Sequence, residues 1–223
     1  MKKVKQALIS VSDKSKLKLI LKVLKKFKIK IISSGGTYKE IKKLGYNCYE
    51  VSKFTNSKEI LGGRIKTLHP KIHAGILNIR NNKSHKKQMR LNNYENIDLI
   101  VVNFYPFENI LAKTKNHKSI IENIDIGGPT LVRAAAKNFN DVAVITSTDQ
   151  YNELINEVQK NKGSTSIEFR QKLSEEAFGQ TAYYDAIINN YFTNKAKNVF
   201  PKRKLIYGNR IQKLRYGENP HQE

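Results

Sequence analysis

Apolar and polar positions alternate along the chain in two rhythms. Four stretches are apolar and β-branched on consecutive positions: Ala7-Leu8-Ile9-Ser10-Val11-Ser12, residues 29–33, residues 97–103 and residues 141–146. Runs of this kind predict strands covered on both faces, as in a parallel sheet. Between the first two, Leu17, Ile20, Leu21, Leu24 and Phe27 recur at helical spacing among lysines, which predicts a helix opened by Asp13-Lys14-Ser15. The three pieces form a β-α-β unit, and such units place ligands at the carboxyl ends of their strands.

The rest of the chain extends this pattern. A short helix is predicted over residues 38–44, a third short strand over residues 48–52, and loop with a surface helix over residues 81–93. Further helices are expected at residues 106–112, from Pro129 to Lys137, within residues 148–160, and as one long helix over residues 166–192 with Phe169, Leu173, Ala177, Phe178, Tyr184, Ile187, Ile188 and Tyr191 on its apolar side. Residues 198–211 are irregular and basic. No internal repeat is visible.

Two polar loops fall at the predicted carboxyl edge. Ser12-Asp13-Lys14 follows the first strand, and Ser34-Gly35-Gly36-Thr37 joins the second to a helix. Glycines at a strand–turn–helix junction bring backbone N–H groups close to a ligand, and a helix N-terminus favours an anion. This suits a phosphate; it also suits a plain tight loop with Thr37 as helix cap. Residues 58–77 mix Gly62-Gly63, Arg64, Lys66, His69, Pro70 and His73 with anchoring Ile and Leu, and alternation puts Arg64 and Lys66 on one side of an extended segment. They are either site residues or solvated charges of a surface loop. His69 and His73 lack an accompanying carboxylate and have Pro70 between them, so they read as satisfied structural histidines rather than metal ligands. Tyr105, past the clearest strand, either caps the core or holds a hydroxyl over a ligand.

Composition adjusts the picture in three places. The 223 residues suffice for one α/β domain with an appended piece. Cys48 is the only cysteine, which excludes an intrachain disulfide and a Cys-based metal site and suits a reducing cytoplasm. The formal charge is +22, yet only eight of the 41 basic residues are Arg and the lysines are diffuse, which reads as a solvated surface attractive to anions rather than a nucleic-acid stripe. Neither a signal peptide nor a membrane span is visible.

Taken in order, Ser10-Val11-Ser12-Asp13-Lys14, Ser34-Gly35-Gly36-Thr37, Gly62-Gly63-Arg64-Ile65-Lys66-Thr67-Leu68-His69-Pro70, His73-Ala74-Gly75-Ile76-Leu77, Asn103-Phe104-Tyr105-Pro106-Phe107 and Asp125-Ile126-Gly127-Gly128-Pro129-Thr130 through Lys137-Asn138 resemble the IMP cyclohydrolase domain of bifunctional purine biosynthesis proteins. The resemblance implies a methylglyoxal-synthase-like, Rossmann-like three-layer α/β fold with a mainly parallel sheet over residues 1–195. Residues 196–223 would be a linker and the first residues of an AICAR formyltransferase domain, whose cosubstrate is 10-formyltetrahydrofolate. Arg215 and Tyr216 match that domain's substrate-contacting pair but, without its Lys-His segment in this chain, are expected to be vestigial.

The implied reaction is closure of 5-formamidoimidazole-4-carboxamide ribotide (FAICAR) to IMP and water, in a cytoplasmic homodimer with no cofactor, no metal, no specific nucleic acid and no membrane. Lys66 and Tyr105 would stabilise the formyl oxyanion, Asp125 would assist loss of the amide proton, and Lys137 would move a proton as water leaves. Ser12, Lys14, Ser34, Gly35, Gly36, Thr37, Arg64, Thr67, Asn103, Phe104, Ile126 and Gly127 would bind substrate and its phosphate. One departure is Phe139, where the bacterial pattern has His. Two other readings stand beside the enzyme: an inactive dimerising remnant and a basic nucleic-acid-binding module. Convergence of Lys14, Lys66 and Lys137 on one concave pocket would favour the enzyme.

Overall fold

Five parallel strands carry the molecule: β2 (Gln6–Val11), β3 (Lys30–Ser33), β4 (Tyr49–Glu50), β5 (Leu99–Asn103) and β6 (Ala143–Ile145), in spatial order β4-β3-β2-β5-β6. The computed structural model describes residues 1–197, 199–209, 211 and 212. Its chain forms two compact units, Met1–Thr181 and Ala182–Glu223. Nearly every residue of β2, β3, β5 and β6 is buried, which explains their unbroken apolar sequence.

Helices α1 (Leu17–Lys26), α2 (Gly35–Lys43), α3 (Val51–Thr55), α4 (Pro70–Leu77), α5 (Lys83–Leu91), α6 (Phe107–Lys113), α7 (His117–Glu122), α8 (Gly127–Lys137), α9 (Tyr151–Lys160) and α10 (Ile167–Lys195) complete the chain. In the first unit α1 packs with α9 and α8 with α4, α8 also lying on β5 and β6. In α1 the buried residues are Leu17, Ile20, Leu21, Val23 and Leu24, the apolar face read from the sequence with Val23 added and without Phe27, which follows the helix and is half-buried. The chain lays β2 first, builds outward through β3 and β4, then returns to place β5 on the other side of β2. The strand order therefore reverses between β2 and β5, and their carboxyl ends flank the natural crevice of such a sheet.

Several expectations are corrected. The third strand shrinks to Tyr49–Glu50, and Val51 onward turns into α3 with Val51 and Thr55 buried. The short helix starts at Gly35, so both glycines lie in its first turn. Pro70 opens a helix rather than interrupting one. A two-stranded antiparallel ribbon was not anticipated: β1 (Lys2–Lys3) pairs with β7 (Ser164–Thr165), polar residues with no apolar pattern. In the second unit Tyr183 meets Tyr207 edge-on, Asn190 donates to the Tyr207 hydroxyl and Asn209 to that of Tyr183. Arg215 and Tyr216 lie outside the described residues.

One buried charge ties loops together. Arg170, on α10 and 2% exposed, donates to the carbonyls of Phe139 (2.7 Å), Asn140 (3.1 Å) and Thr165 (2.6 Å) and to Thr165 Oγ1 (3.0 Å). These close the end of the loop after α8 onto the ribbon strand β7. Arg170→Ala leaves those acceptors without a partner and is expected to lower unfolding stability by about 3–4 kcal/mol in urea denaturation. Arg170→Lys is expected to recover only part, because an ammonium cannot reach the three carbonyls as a planar fork does.

Candidate active site

At the reversal of strand order a single side chain fastens two strand ends. Asn103, last residue of β5, accepts at Oδ1 from Ser12 N (2.6 Å) and Asp13 N (3.1 Å), with the Ser12 hydroxyl at 2.8 Å from both that oxygen and the Phe104 carbonyl. The loop after β2 is thereby fixed, and a cleft of about 630 Å³ opens above it. Its walls are the Ser12–Lys14 loop, the first turn of α2, the segment from Gly62 to Thr67, and the passage from Ile121 to Gly128.

The α2 wall is an anion cradle made mainly of backbone. Ser34 is extended and its side chain makes no cap hydrogen bond, so the first N–H groups of α2 have neither an intrahelical partner nor a capping oxygen. Thr37 adds no free hydroxyl: its Oγ1 accepts from Val11 N (3.1 Å) and donates to Val11 O (3.0 Å). Beside this turn Lys14 Nζ donates to the Ser12 carbonyl (3.0 Å) and has no ion-pair partner among the described residues. A Cβ on Gly36 would sit 3.8 Å from Lys14 Cε, so the lysine stem runs along the glycine.

The opposite wall is a hairpin. Ile60 and Ile65 form an isolated antiparallel bridge, and the turn between them runs through positive φ at Leu61, Gly62 and Gly63. Gly63 is favoured by its φ of +90°, and the Lys66 stem lies over it, with Cε 2.6 Å from where a Cβ would be. Lys66 passes over Gly63 towards Gly35 and lies 3.6 Å from Glu59. Arg64 makes a two-pronged ion pair with Glu122 at the end of α7, exposed on both sides. That pairing lowers the Glu122 pKa and raises that of Arg64.

The third wall supplies a carboxylate at a helix start. Asp125 Oδ1 accepts from Gly128 N (2.9 Å), and Gly128 has no room for a Cβ, which would strike the Asp125 carboxylate and sit 3.1 Å from Phe104 Cδ1. Burial pushes the Asp125 pKa above its ordinary value, against the lowering effect of the Gly128 and Gly127 amides. Tyr105 and Ile126 stand at the rim, 57% and 58% exposed, and form the apolar part of the mouth.

Sixteen residues were expected at a site in the first unit; fourteen of them line this cleft. Phe104 lies beneath it, 8% exposed, and contributes its carbonyl to the Ser12 contact. Lys137 is not brought there. It ends the unbroken helix α8 that starts at Gly127, about 15 Å along the axis, and is exposed. Thus Lys14 and Lys66 converge and Lys137 does not. Glu59 and Glu122 were not foreseen, although the symmetrical string Glu59-Ile60 … Ile65-Lys66 around Gly62-Gly63 carries a hairpin signal. Among the described residues no group of three or more His, Cys, Asp or Glu could hold a metal. His69 caps α4, its Nδ1 accepting from Lys71 N (3.1 Å), whereas His73 Nε2 is buried without a partner, against the expectation that both are satisfied. Burial lowers the His73 pKa.

Residues 17–130 match the MGS-like domain family and residues 135–223 match the AICARFT/IMPCHase bienzyme family. The chain is 45% identical over 221 residues to the bifunctional purine biosynthesis protein PurH of Bradyrhizobium diazoefficiens, covering 99% of this chain and 42% of that protein. PurH of Persephonella marina is 46% identical, with 98% and 43% covered. The chain thus spans about two-fifths of the length of the curated relatives it matches. A crystal structure of ForH has a TM-score of 0.75 and 28% identity, covering 84% of this chain and 96% of that one.

The raised Asp125 pKa has a consequence for stability. A carboxyl whose folded pKa exceeds its unfolded value favours folding below the unfolded pKa, and that contribution is lost as pH rises through the folded pKa. Asp125→Asn keeps an oxygen for the Gly128 N–H and removes the charge. Its melting temperature is expected to exceed that of the wild type at pH 7 and to match it in acid, below the ordinary carboxylate range; a lower melting temperature at pH 7 would contradict the assignment.

Proposed function

We propose, for a chain that belongs to the MGS-like domain family and continues into an AICARFT/IMPCHase segment, that the cleft closes the purine ring by converting FAICAR to IMP and water. The observation that carries this reading is the division of one mononucleotide-sized cleft into two halves. One half is an open α2 N-terminus with Lys14, which has no ion-pair partner among the described residues, the other holds Tyr105 and Asp125, and Lys66 reaches from the hairpin over the first turn of α2.

In this reading the ribotide phosphate takes the free N–H groups of α2 and Lys14, where charge and donors already converge. Arg64 is left to Glu122. The carboxamide nitrogen then lies against the formyl carbon, and holding that near-attack geometry supplies much of the acceleration because both groups belong to one molecule. As the C–N bond forms, the formyl oxygen gains negative charge, which the Lys66 ammonium and the Tyr105 hydroxyl stabilise. The Asp125 carboxylate takes the carboxamide proton. The acid form of Asp125 returns that proton to the oxyanion to give the carbinolamine hydroxyl. Its carboxylate then takes the formamide N–H proton and passes it to the hydroxyl, which leaves as water while the C=N bond closes. A carboxyl with a raised pKa is suited to both directions of transfer. Lys137 has no part in this scheme, since its helix carries it away from the cleft.

The purified chain, incubated with FAICAR, is expected to generate IMP by absorbance. Lys66→Ala is expected to lose about 10²–10³ in kcat as one oxyanion contact is removed. The acidic limb of kcat/KM should fall above the ordinary carboxylate range, because Asp125 must be ionised to accept the first proton and its pKa is raised. No IMP from the wild type, or equal rates for wild type and Lys66→Ala, would sink the proposal.

A further inference from the structure

The cleft pairs cations and carboxylates unevenly. Lys14 faces an open helix end, Arg64 is held by Glu122, and Lys66 is accompanied by Glu59. The last pair differs from a chance surface contact because backbone register fixes it. Ile60 and Ile65 form the antiparallel bridge, so Glu59 and Lys66 occupy the next position outward on the two strands. Cross-strand neighbours on one face have Cβ atoms about 5 Å apart, within reach of each other's charged ends.

Three further observations bear on Lys66. Its stem lies over Gly63, with Cε 2.6 Å from where a Cβ there would be. Its Nζ lies 3.3 Å from where a Cβ of Gly35 would be, over the first turn of α2. Both members of the pair are about a third exposed, so neither is locked by burial alone. A lysine has a flexible four-carbon stem with many rotamers. Without a partner it would sweep the mouth of the cleft.

We propose that Glu59 is the positioning residue for Lys66, holding its ammonium between the hairpin turn and the first turn of α2. The proposal rests on the ring-closure reading above for its kinetic consequence, and on the structure alone for the restraint itself. Glu59 touches no reacting atom. It acts through Lys66, and the turn at Gly62-Gly63 exists to set the two side chains opposite each other.

The test compares wild type, Glu59→Gln and Glu59→Asp in two ways. In FAICAR turnover, Glu59→Gln is expected to lower kcat about 10-fold with KM within about 3-fold, because the phosphate is anchored elsewhere. Glu59→Asp keeps the charge and is expected to recover most of kcat. In the second arm, lysines are competitively acetylated with acetic anhydride and read by peptide mass spectrometry. Glu59→Gln should raise labelling of Lys66 severalfold relative to Lys14, while Glu95→Gln, at the other pair Lys30–Glu95, leaves it unchanged. Unchanged Lys66 labelling with unchanged kcat overturns the proposal. So does a fall in melting temperature with labelling raised equally at Lys14 and Lys66, which would mark Glu59 as a support of the loop only. If the wild type makes no IMP, the ring-closure reading fails by itself, and the labelling arm still decides whether Glu59 restrains Lys66.

Discussion

The hydrogen bonds that Asn103 accepts are the constraint on which the site depends. A parallel sheet whose order reverses leaves a gap between the carboxyl ends of two strands, and nothing in the ladder of β2 and β5 fixes the loops beyond it. Asn103 Oδ1 gathers Ser12 N and Asp13 N, which sets the path of the loop that delivers Lys14. The same strand end carries Phe104 into the core and turns Tyr105 out to the rim. A side-chain amide does this better than a carboxylate would, because its oxygen accepts while its nitrogen faces the Asp13 carbonyl at 3.4 Å.

Above that fixed floor the cleft is balanced rather than uniformly basic, in spite of the +22 formal charge of the chain. Lys14, Arg64 and Lys66 line it with Glu122 and Asp125, and Glu59 stands 3.6 Å from Lys66. An evenly positive pocket would bind any anion in any pose. Here two of the cations have carboxylate partners, so the strongest unanswered positive potential is at α2 and Lys14. On the proposed ring-closure reading, a ribotide would bind in one orientation, phosphate first, with its ring between the hairpin and the start of α8. On the proposed reading, a cleft that leaves Lys14 without a carboxylate partner would suit a reaction in which the substrate brings both reacting groups.

Much of this was legible in the sequence where burial dictates residue type. The strands β2, β3, β5 and β6 announce themselves because both faces are covered, and α1 and α10 because one face is. Elements held by polar or β-branched residues were not legible: β1 and β7 pair through Lys2, Lys3, Ser164 and Thr165, and α3 is helical through Val51 and Thr55, whose intrinsic preference points to strand. The floor and the phosphate turn were readable as polar loops at strand ends. Glu59 and Glu122 were not, since both look like solvated surface until the hairpin sets Glu59 beside Lys66 and α7 brings Glu122 to the cleft. Lys137 was placed by resemblance in motif order, but eleven residues of unbroken helix put it at the far end of α8.

The direct measurement is a crystal structure of the chain with IMP bound. The phosphate should accept hydrogen bonds from the backbone N–H groups at the first turn of α2 and from Lys14 Nζ, with the purine ring between Tyr105, Lys66 and Asp125 and the Arg64–Glu122 pair intact. A phosphate seated on Arg64 with that pair broken, or a purine ring lodged at α2, would contradict the account.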